Sequence, residues 1–381
     1  MPKKSNITGR RQHKRVTASA VAAHAGVSTM TVSRVINGDS GVRESTRSRV
    51  EKAIRELGYV PNKAARSLAS ANPIRIGLLY SNPNSTYLSA MLIGILEQSR
   101  QSDSHIIVVE CADGPDALGV VEGMITEGVD GLVLAPPLCD SEPVFDAVKA
   151  HGIPAVTVGA RHRAEHISSV FIDDERAAMA MTQHLIARGH RRIGFIIGNA
   201  NQSASDLRLA GYRNALAQAD IEIDERLIVQ GEFSYRSGFE AATQLLELAE
   251  PPTAIFACND DMAAGVISCA HQHNLHVPRD LSVCGFDDSM MAATIWPGIT
   301  TIRQPIAYMS RAAIELLEKD IRRHRAGDEV ECHRLQLDFS LVKRGSDAPP
   351  RTFDGRSPSK SRAANVARRY SSGSSRKPPA L

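Results

Sequence analysis

From Ile74 onward the chain repeats one unit: a short, almost unbroken apolar run followed by a longer stretch with helical spacing. IRIGLLY (74–80) leads into a helical pattern over 87–101, and HIIVVE (105–110) into one over 116–127. GLVLA (131–135) and PAVTV (154–158) flank another helix, and SVFI (169–172) follows. Beyond Asp173 the rhythm restarts: a helix to residue 188, RIGFIIG (192–198), helices over 205–219 and 237–248, AIFAC (254–258), a helix over 261–273, LSVCGF (281–286) and a last helix over 306–325. Strands this apolar need cover on both faces, and the helices between them supply it, so the pattern predicts parallel sheets built from βαβ units. About ten strands are too many for one typical small sheet. The expected architecture is therefore an α/β body of two doubly wound lobes facing a cleft, spanning residues 72–345.

A chain of 381 residues has room for two or three folded units, and the charge distribution separates them. Residues 1–71 hold 14 Lys/Arg against 4 Asp/Glu, and residues 351–381 hold 8 against 1. The stretch between holds 23 against 37, so a formal net charge of +3 conceals a basic head on an acidic body. That is the balance expected of a polyanion-binding module joined to a sensor. Residues 1–15 read as a disordered basic arm, and residues 346–381 as a disordered, low-complexity basic tail.

The six cysteines form no C-x-x-C pair, which predicts reduced thiols and no zinc site. No apolar run approaches the length of a membrane span, and none follows the charged N-terminal residues as a secretion signal would. A cytoplasmic protein with no membrane partner is the expectation. His162 to His166 fits H-x-x-E-H but lies between two strands without an apolar helix around it, so no metal is expected there. A P-loop, a G-x-S-x-G elbow and a G-x-G-x-x-G turn are all missing, so the expectation is a protein without a cofactor that is not an enzyme. A solute-binding transport component would have no use for the basic head.

Within that head, residues 16–61 read as three short helices. Gly26 is suited to end the first in the left-handed region, and Ser28 to cap the second. Val32, Val35 and Ile36 share the inward face of the second helix, leaving Thr29, Met30, Ser33, Arg34 and Asn37 outside. Such a helix-turn-helix presents its N-terminal end to base edges in the major groove, where Arg34 suits a guanine and Met30 an apolar contact. In the third helix Ser45 is the expected cap, Val50, Ala53, Ile54 and Leu57 the packing stripe and Gly58 the stop.

AGVSTMTVSRVIN (25–37) together with GYVPNKAARSL (58–68) resembles the DNA-binding head and hinge of the lactose-repressor (LacI/GalR) family, and the likeness runs on to LVKRG at 341–345. One departure is Ala20, where the family has an acidic residue in its first helix. The resemblance implies a sequence-specific regulator, most often a repressor of carbohydrate-utilisation genes. In it Thr29, Met30 and Arg34 would read bases, while Thr17, Ser28, Ser33 and Asn37 would hold phosphates, which position without specifying. Residues 62–71 correspond to the hinge helix, with Asn62, Ala65 and Leu68 at the DNA and Leu68 as the wedge into the minor groove. A segment this short is unstable as an isolated helix, so it would order when paired on DNA. One head covers half a site. The implied partners are a palindromic double-stranded operator, a second copy of the chain and a small sugar or glycoside. No leucine heptad follows in the C-terminal tail, so a homodimer is expected.

The same resemblance implies an effector site. Arg208 in SASDLRLAGY matches a clamp for hydroxyls or carboxylates. Asn259 in CNDDMA and Asp287 in GFDDS match groups that bind sugar hydroxyls. Phe233 and Tyr87 match aromatics of the cleft, and Gln304 sits where the chain crosses between lobes. Independently, Asn259 and Asp287 each follow an apolar strand, at the end where parallel α/β sheets bind ligands. The residues alone leave alternatives open: Asp287-Asp288 also reads as a helix cap, and Phe233 as core packing. Asp173 and Asp174 read as cleft-edge or N-cap residues outside the site.

Overall fold

The computed structural model describes residues 16–36, 41–59, 73–80, 85–102, 104–111, 115–159 and 166–351. The chain divides into two compact units, residues 1–73 and 74–381. Asn37, Asn62, Ala65 and Leu68, and all but the last residue of the H-x-x-E-H stretch, lie outside the described residues.

The first unit holds α1 (Ala18–Ala25), α2 (Thr29–Ile36) and α3 (Glu44–Leu57). Val21, Ala22, Ala25, Val32, Val35, Val50 and Ala53 form its core, one stripe from each helix. Gly26 and Gly58 end α1 and α3 in the left-handed region, at φ 63° and 59°. Ser45 is not the cap of α3: the helix begins one residue earlier, after Arg43, whose side chain makes no capping bond.

The second unit contains two six-stranded sheets. The N-terminal lobe is built on β1 (Arg75–Tyr80), β2 (His105–Glu110), β3 (Gly131–Leu134), β4 (Ala155–Val158), β5 (Ser168–Ile172) and β11 (Arg334–Leu337), in the order β11-β5-β4-β3-β1-β2, all parallel. The C-terminal lobe uses β6 (Ile193–Ile197), β7 (Ile228–Gln230), β8 (Ala254–Ala257), β9 (Ser282–Asp287), β10 (Thr300–Arg303) and β12 (Ser340–Val342), in the order β12-β10-β9-β8-β6-β7, with only β12 antiparallel. Sequence patterning missed β7, β10, β11 and β12. β7, β11 and β12 are partly exposed edge strands and β10 begins with two threonines, so none shows the unbroken apolar run of the buried strands.

Helices cover both faces of each sheet. In the N-terminal lobe α4 (Ser85–Ser102) and α12 (Ile306–Ala326) pack together on one face, while α5 (Pro115–Thr126) and α6 (Glu142–His151) lie on the other. Strand alternation assigns the residues: Ile76 and Leu78 face the first pair, Leu79 the second. The C-terminal lobe pairs α7 (Asp174–Ala187) with α8 (Ser203–Gln218), and α9 (Tyr235–Leu246) with α10 (Asp260–Gln272). The short α11 (Met290–Thr294) follows β9. Under α8, Phe195 stacks on Tyr212 at 4.7 Å and meets Phe256 edge-on at 5.3 Å.

The folded body extends past residue 345, where the sequence reading placed the start of the tail. Ser346 and Asp347 are buried. The Asp347 carboxylate accepts from His184 Nε2 and Arg188 Nε, both at 2.9 Å, and Ser346 Oγ accepts from Thr300 N at 2.8 Å. Polar composition concealed this strap, because its buried atoms are held by hydrogen bonds and not by apolar contact. Residues 352–381 lie outside the described residues.

Candidate functional site

Segments that follow the carboxyl ends of strands in both lobes build one pocket. Tyr87, Pro136 and Gly159 line it from the N-terminal lobe, Gln202, Ala204, Arg208, Phe233 and Asp287 from the C-terminal lobe, and Gln304 from the crossover after β10. The atom-free space between them is ≈ 370 Å³, part of it open solvent. Five of the six expected effector residues, Tyr87, Arg208, Phe233, Asp287 and Gln304, are brought together here.

Asn259 is the exception. It lies behind the pocket, 1% exposed, where Oδ1 accepts from Met262 N at the start of α10 and Nδ2 donates to the Phe233 carbonyl, both at 2.9 Å. Its role is to position Phe233, not to line the space. Phe233 needs that support because its backbone is left-handed, at φ 57°. Its ring rests on Gly198, where any Cβ would overlap it. On the opposite wall, a Cβ at Gly159 would stand 2.9 Å from the Tyr87 hydroxyl.

Asp287 does not cap a helix. It stands at φ 109° at the end of β9 and accepts from Gln304 Nε2 at 2.6 Å. Asp288 turns away, pairing with Arg303 at 2.6 Å and Arg344 at 2.5 Å. Asp173 is the N-cap of α7, accepting from Arg176 N at 3.0 Å. Asp174, which the sequence reading left outside the site, is the buried partner of Arg208: Nε donates to its Oδ1 at 2.8 Å. Arg208 also donates Nη1 to the Cys258 carbonyl at 2.5 Å, and its guanidinium lies 3.6 Å from the centroid of the Phe286 ring. The Asp174–Arg208 contact joins α7 to α8, 34 positions apart, and no local pattern could have announced it.

These charges are buried side by side. Burial pushes Asp287 up to about 7 against the opposing pull of Arg208. Burial likewise raises Asp174, and raises Asp260 well above the carboxylate range with help from Asp287. For Arg208 burial works against the charge, but Asp174 and Asp287 outweigh it and the guanidinium stays protonated. Burial also raises the Tyr87 hydroxyl, which remains a donor. Sequence reading missed Gln202 as well. The residue is 6% exposed, lines the pocket, and its side chain does not cap the helix that follows it. Only its place one residue before α8 brings it to the cleft.

In the first unit, Thr17 Oγ1 accepts from Ala20 N at 3.3 Å and Ser28 Oγ from Thr31 N at 3.1 Å, so the two residues cap α1 and α2. Ser28 Oγ also lies 2.9 Å from Thr31 Oγ1, in a hydroxyl–hydroxyl hydrogen bond. Thr29, Met30, Ser33 and Arg34 are exposed along one side of α2, with Met30 71% exposed. An apolar side chain that open, at the N-terminal end of a second helix, suits a base edge better than water.

Residues 17–62 match the bacterial regulatory proteins of the lacI family, and residues 182–346 match the periplasmic binding protein-like domain. Catabolite control protein A of Priestia megaterium is 33% identical over 326 residues, covering 84% of this chain and 98% of that protein. The HTH-type transcriptional regulator CelR of Thermobifida fusca is 34% identical over 342 residues, covering 88% and 99%. The chain belongs to the lacI family of bacterial regulatory proteins.

Solved structures of the family share the architecture. A CelR–cellobiose complex superposes with a TM-score of 0.66 at 33% identity, covering 87% of this chain and all of that one. A lac repressor dimer bound to operator and the anti-inducer ONPF gives 0.66 at 30% identity over 88% of this chain. This lacI-family chain is thus a DNA-binding transcriptional regulator with a two-lobed sensor body, and the relatives it matches are regulators. Among the described residues no helix is long and apolar enough to cross a membrane.

Proposed function

We propose that this lacI-family regulator is a cytoplasmic homodimeric repressor without catalytic activity, which binds a palindromic operator and changes its affinity when a small, uncharged sugar or glycoside enters the interlobe pocket. The observation that carries this reading is the convergence of Arg208, Asp287, Gln304, Phe233 and Tyr87 on one pocket between the lobes. Planar polar groups against two aromatics suit a ring of hydroxyls. The Gln202 carboxamide on the pocket wall offers a donor and an acceptor, as a hydroxyl requires. Arg208 already faces Asp174 and Asp287, so the pocket has no surplus positive charge for a phosphate or carboxylate. The CelR–cellobiose complex makes cellobiose the first ligand to try.

An effector that prefers one lobe arrangement shifts the population of arrangements, and through it the pairing of the hinges on DNA. Pairing needs two chains. Ile93 and Leu96 are about half exposed one turn apart on α4, near exposed Val108 on the edge strand β2, and supply an apolar face for the second copy. The lac repressor relative is a dimer on its operator.

The deciding experiment has two steps. Binding sites are selected from random duplex DNA at near-physiological salt, and the selected site is then titrated in the presence of cellobiose and a panel of neutral and phosphorylated sugars. Recovery of a palindrome whose affinity a neutral sugar alters, with that response lost in Arg208→Ala, supports the reading. No consensus, binding that vanishes with salt, or a response only to phosphorylated sugars overturns it.

A further inference from the structure

Beside the pocket the lobes are joined by a bond that involves none of the residues assigned to the effector. Asp140 ends the 3-10 turn Leu138–Asp140 that follows β3 in the N-terminal lobe. Its Oδ2 accepts from the backbone N–H of Ser203, the first residue of α8 in the C-terminal lobe, at 3.0 Å. The first N–H groups of any helix lack partners within it, and its N-terminal end is the positive end of the helix dipole. In most helices the preceding side chain fills that need. Here the N-cap residue is Gln202, and its side chain makes no capping bond. Asp206, in the first turn of α8, is the other acidic group at this helix end, and the Cys139 thiol donates to Asp140 at 3.7 Å.

The helix that presents Gln202, Ala204 and Arg208 to the pocket is therefore capped from the opposite lobe. We propose that Asp140 is a closure latch: its carboxylate caps α8 only while the lobes are together, and so sets the population of the closed arrangement before any effector arrives. Separation breaks a charge-assisted bond and returns the Ser203 N–H to water. Because apparent affinity scales with the population of the competent state, the latch tunes how strongly any effector is held. Asp140 acts as a positioning residue and does not need to touch the ligand.

This consequence rests on the effector reading, but the latch itself is testable without a ligand. In full-length protein carrying Cys332→Ser, spin labels are placed at Lys149→Cys in one lobe and Glu222→Cys in the other, and the interlobe distance distribution is measured. Asp140→Ala is expected to move the distribution to longer distances, while Asp140→Asn, which keeps an acceptor, stays near the parent. In the Ala variant the Ser203 amide is expected to exchange about tenfold faster. Ser203→Pro is a second, independent break. Proline is tolerated at the first helical position, and Gln202 already has the extended backbone (φ −123°, ψ 121°) that precedes proline. It removes the donor without disturbing the helix and is expected to open the lobes as Asp140→Ala does, with no further opening in the double variant. Parent-like distances in both Asp140→Ala and Ser203→Pro would overturn the latch. Loss of sugar response with the latch intact would overturn only the effector reading.

Discussion

Arg208 and Asp174 form an ion pair, Nε to Oδ1 at 2.8 Å, with side chains 6% and 4% exposed. The pair fixes the guanidinium so that it faces the pocket. Breaking a buried pair from one side leaves an uncompensated charge and costs about 3–5 kcal/mol. Asp174→Ala is therefore expected to lower stability by that order in denaturant unfolding and to abolish effector response. Arg208→Ala should be milder in stability, since Asp174 can take up a proton, while losing the response as completely. Equal, small losses in both variants would show that the pair does not organise the site.

The raised Asp287 gives stability a pH dependence whose sign follows from proton counting. Between the ordinary carboxyl range near 4 and its folded value of about 7, the folded state holds a proton that the unfolded chain has released. Stability from this group is thus greatest at low pH and falls as pH rises from about 4 to about 7. His190, lowered chiefly by burial, and Asp347, lowered by His184 and Thr300 against its own burial, push the opposite way. The measurement is therefore a difference. The stability of the parent relative to Asp287→Asn should decline across pH 4 to 7 and level off above it. A flat difference would contradict the shift.

Gly198 is a site where one methyl decides the pocket. A Cβ there overlaps the Phe233 ring, so Gly198→Ala should displace the ring. Calorimetric titration with the identified sugar is expected to show affinity down by about tenfold or more, on the order of 1.4 kcal/mol. DNA binding, which does not use the ring, should remain. An unchanged affinity would remove Phe233 from the ligand contacts.

On DNA, Arg34→Ala should cost about 1–3 kcal/mol and relax the preference at one base position per half-site, as loss of a bidentate contact does. Ser33→Ala should weaken all sequences alike. Leu68→Ala, at the sequence-assigned minor-groove wedge, should weaken the selected operator far more than random DNA. Equal loss on both would refute the wedge.

The apolar face of α4 predicts the assembly. Leu96→Glu places a charge where a second copy would pack, and sedimentation is expected to show monomers with the fold retained. Specific operator affinity should fall by orders of magnitude, since each head then binds half a site alone. A stable Leu96→Glu dimer would place the interface elsewhere.

What the sequence determined by itself was whatever is written in local period and local chemistry. The alternation of apolar runs and helical stretches specified two wound lobes, because a strand apolar on both faces has to be covered on both. The Gly26 and Gly58 stops and the Ser28 cap specified the reading head, since these act within a few residues of themselves. Strand-end logic and motif resemblance reached Tyr87, Arg208, Phe233, Asp287 and Gln304. Tertiary structure alone decided the rest, because it depends on pairs distant in the chain. Asp174 became the keeper of Arg208 through the packing of α7 on α8. Asn259 turned from the ligand to the Phe233 carbonyl, 26 positions away. Gln202 was brought to the pocket wall, and Asp140 reached across to Ser203. A pattern of 3.6 or 2 residues carries no information about which carboxylate will meet which donor across a cleft, and in this protein those meetings make the site.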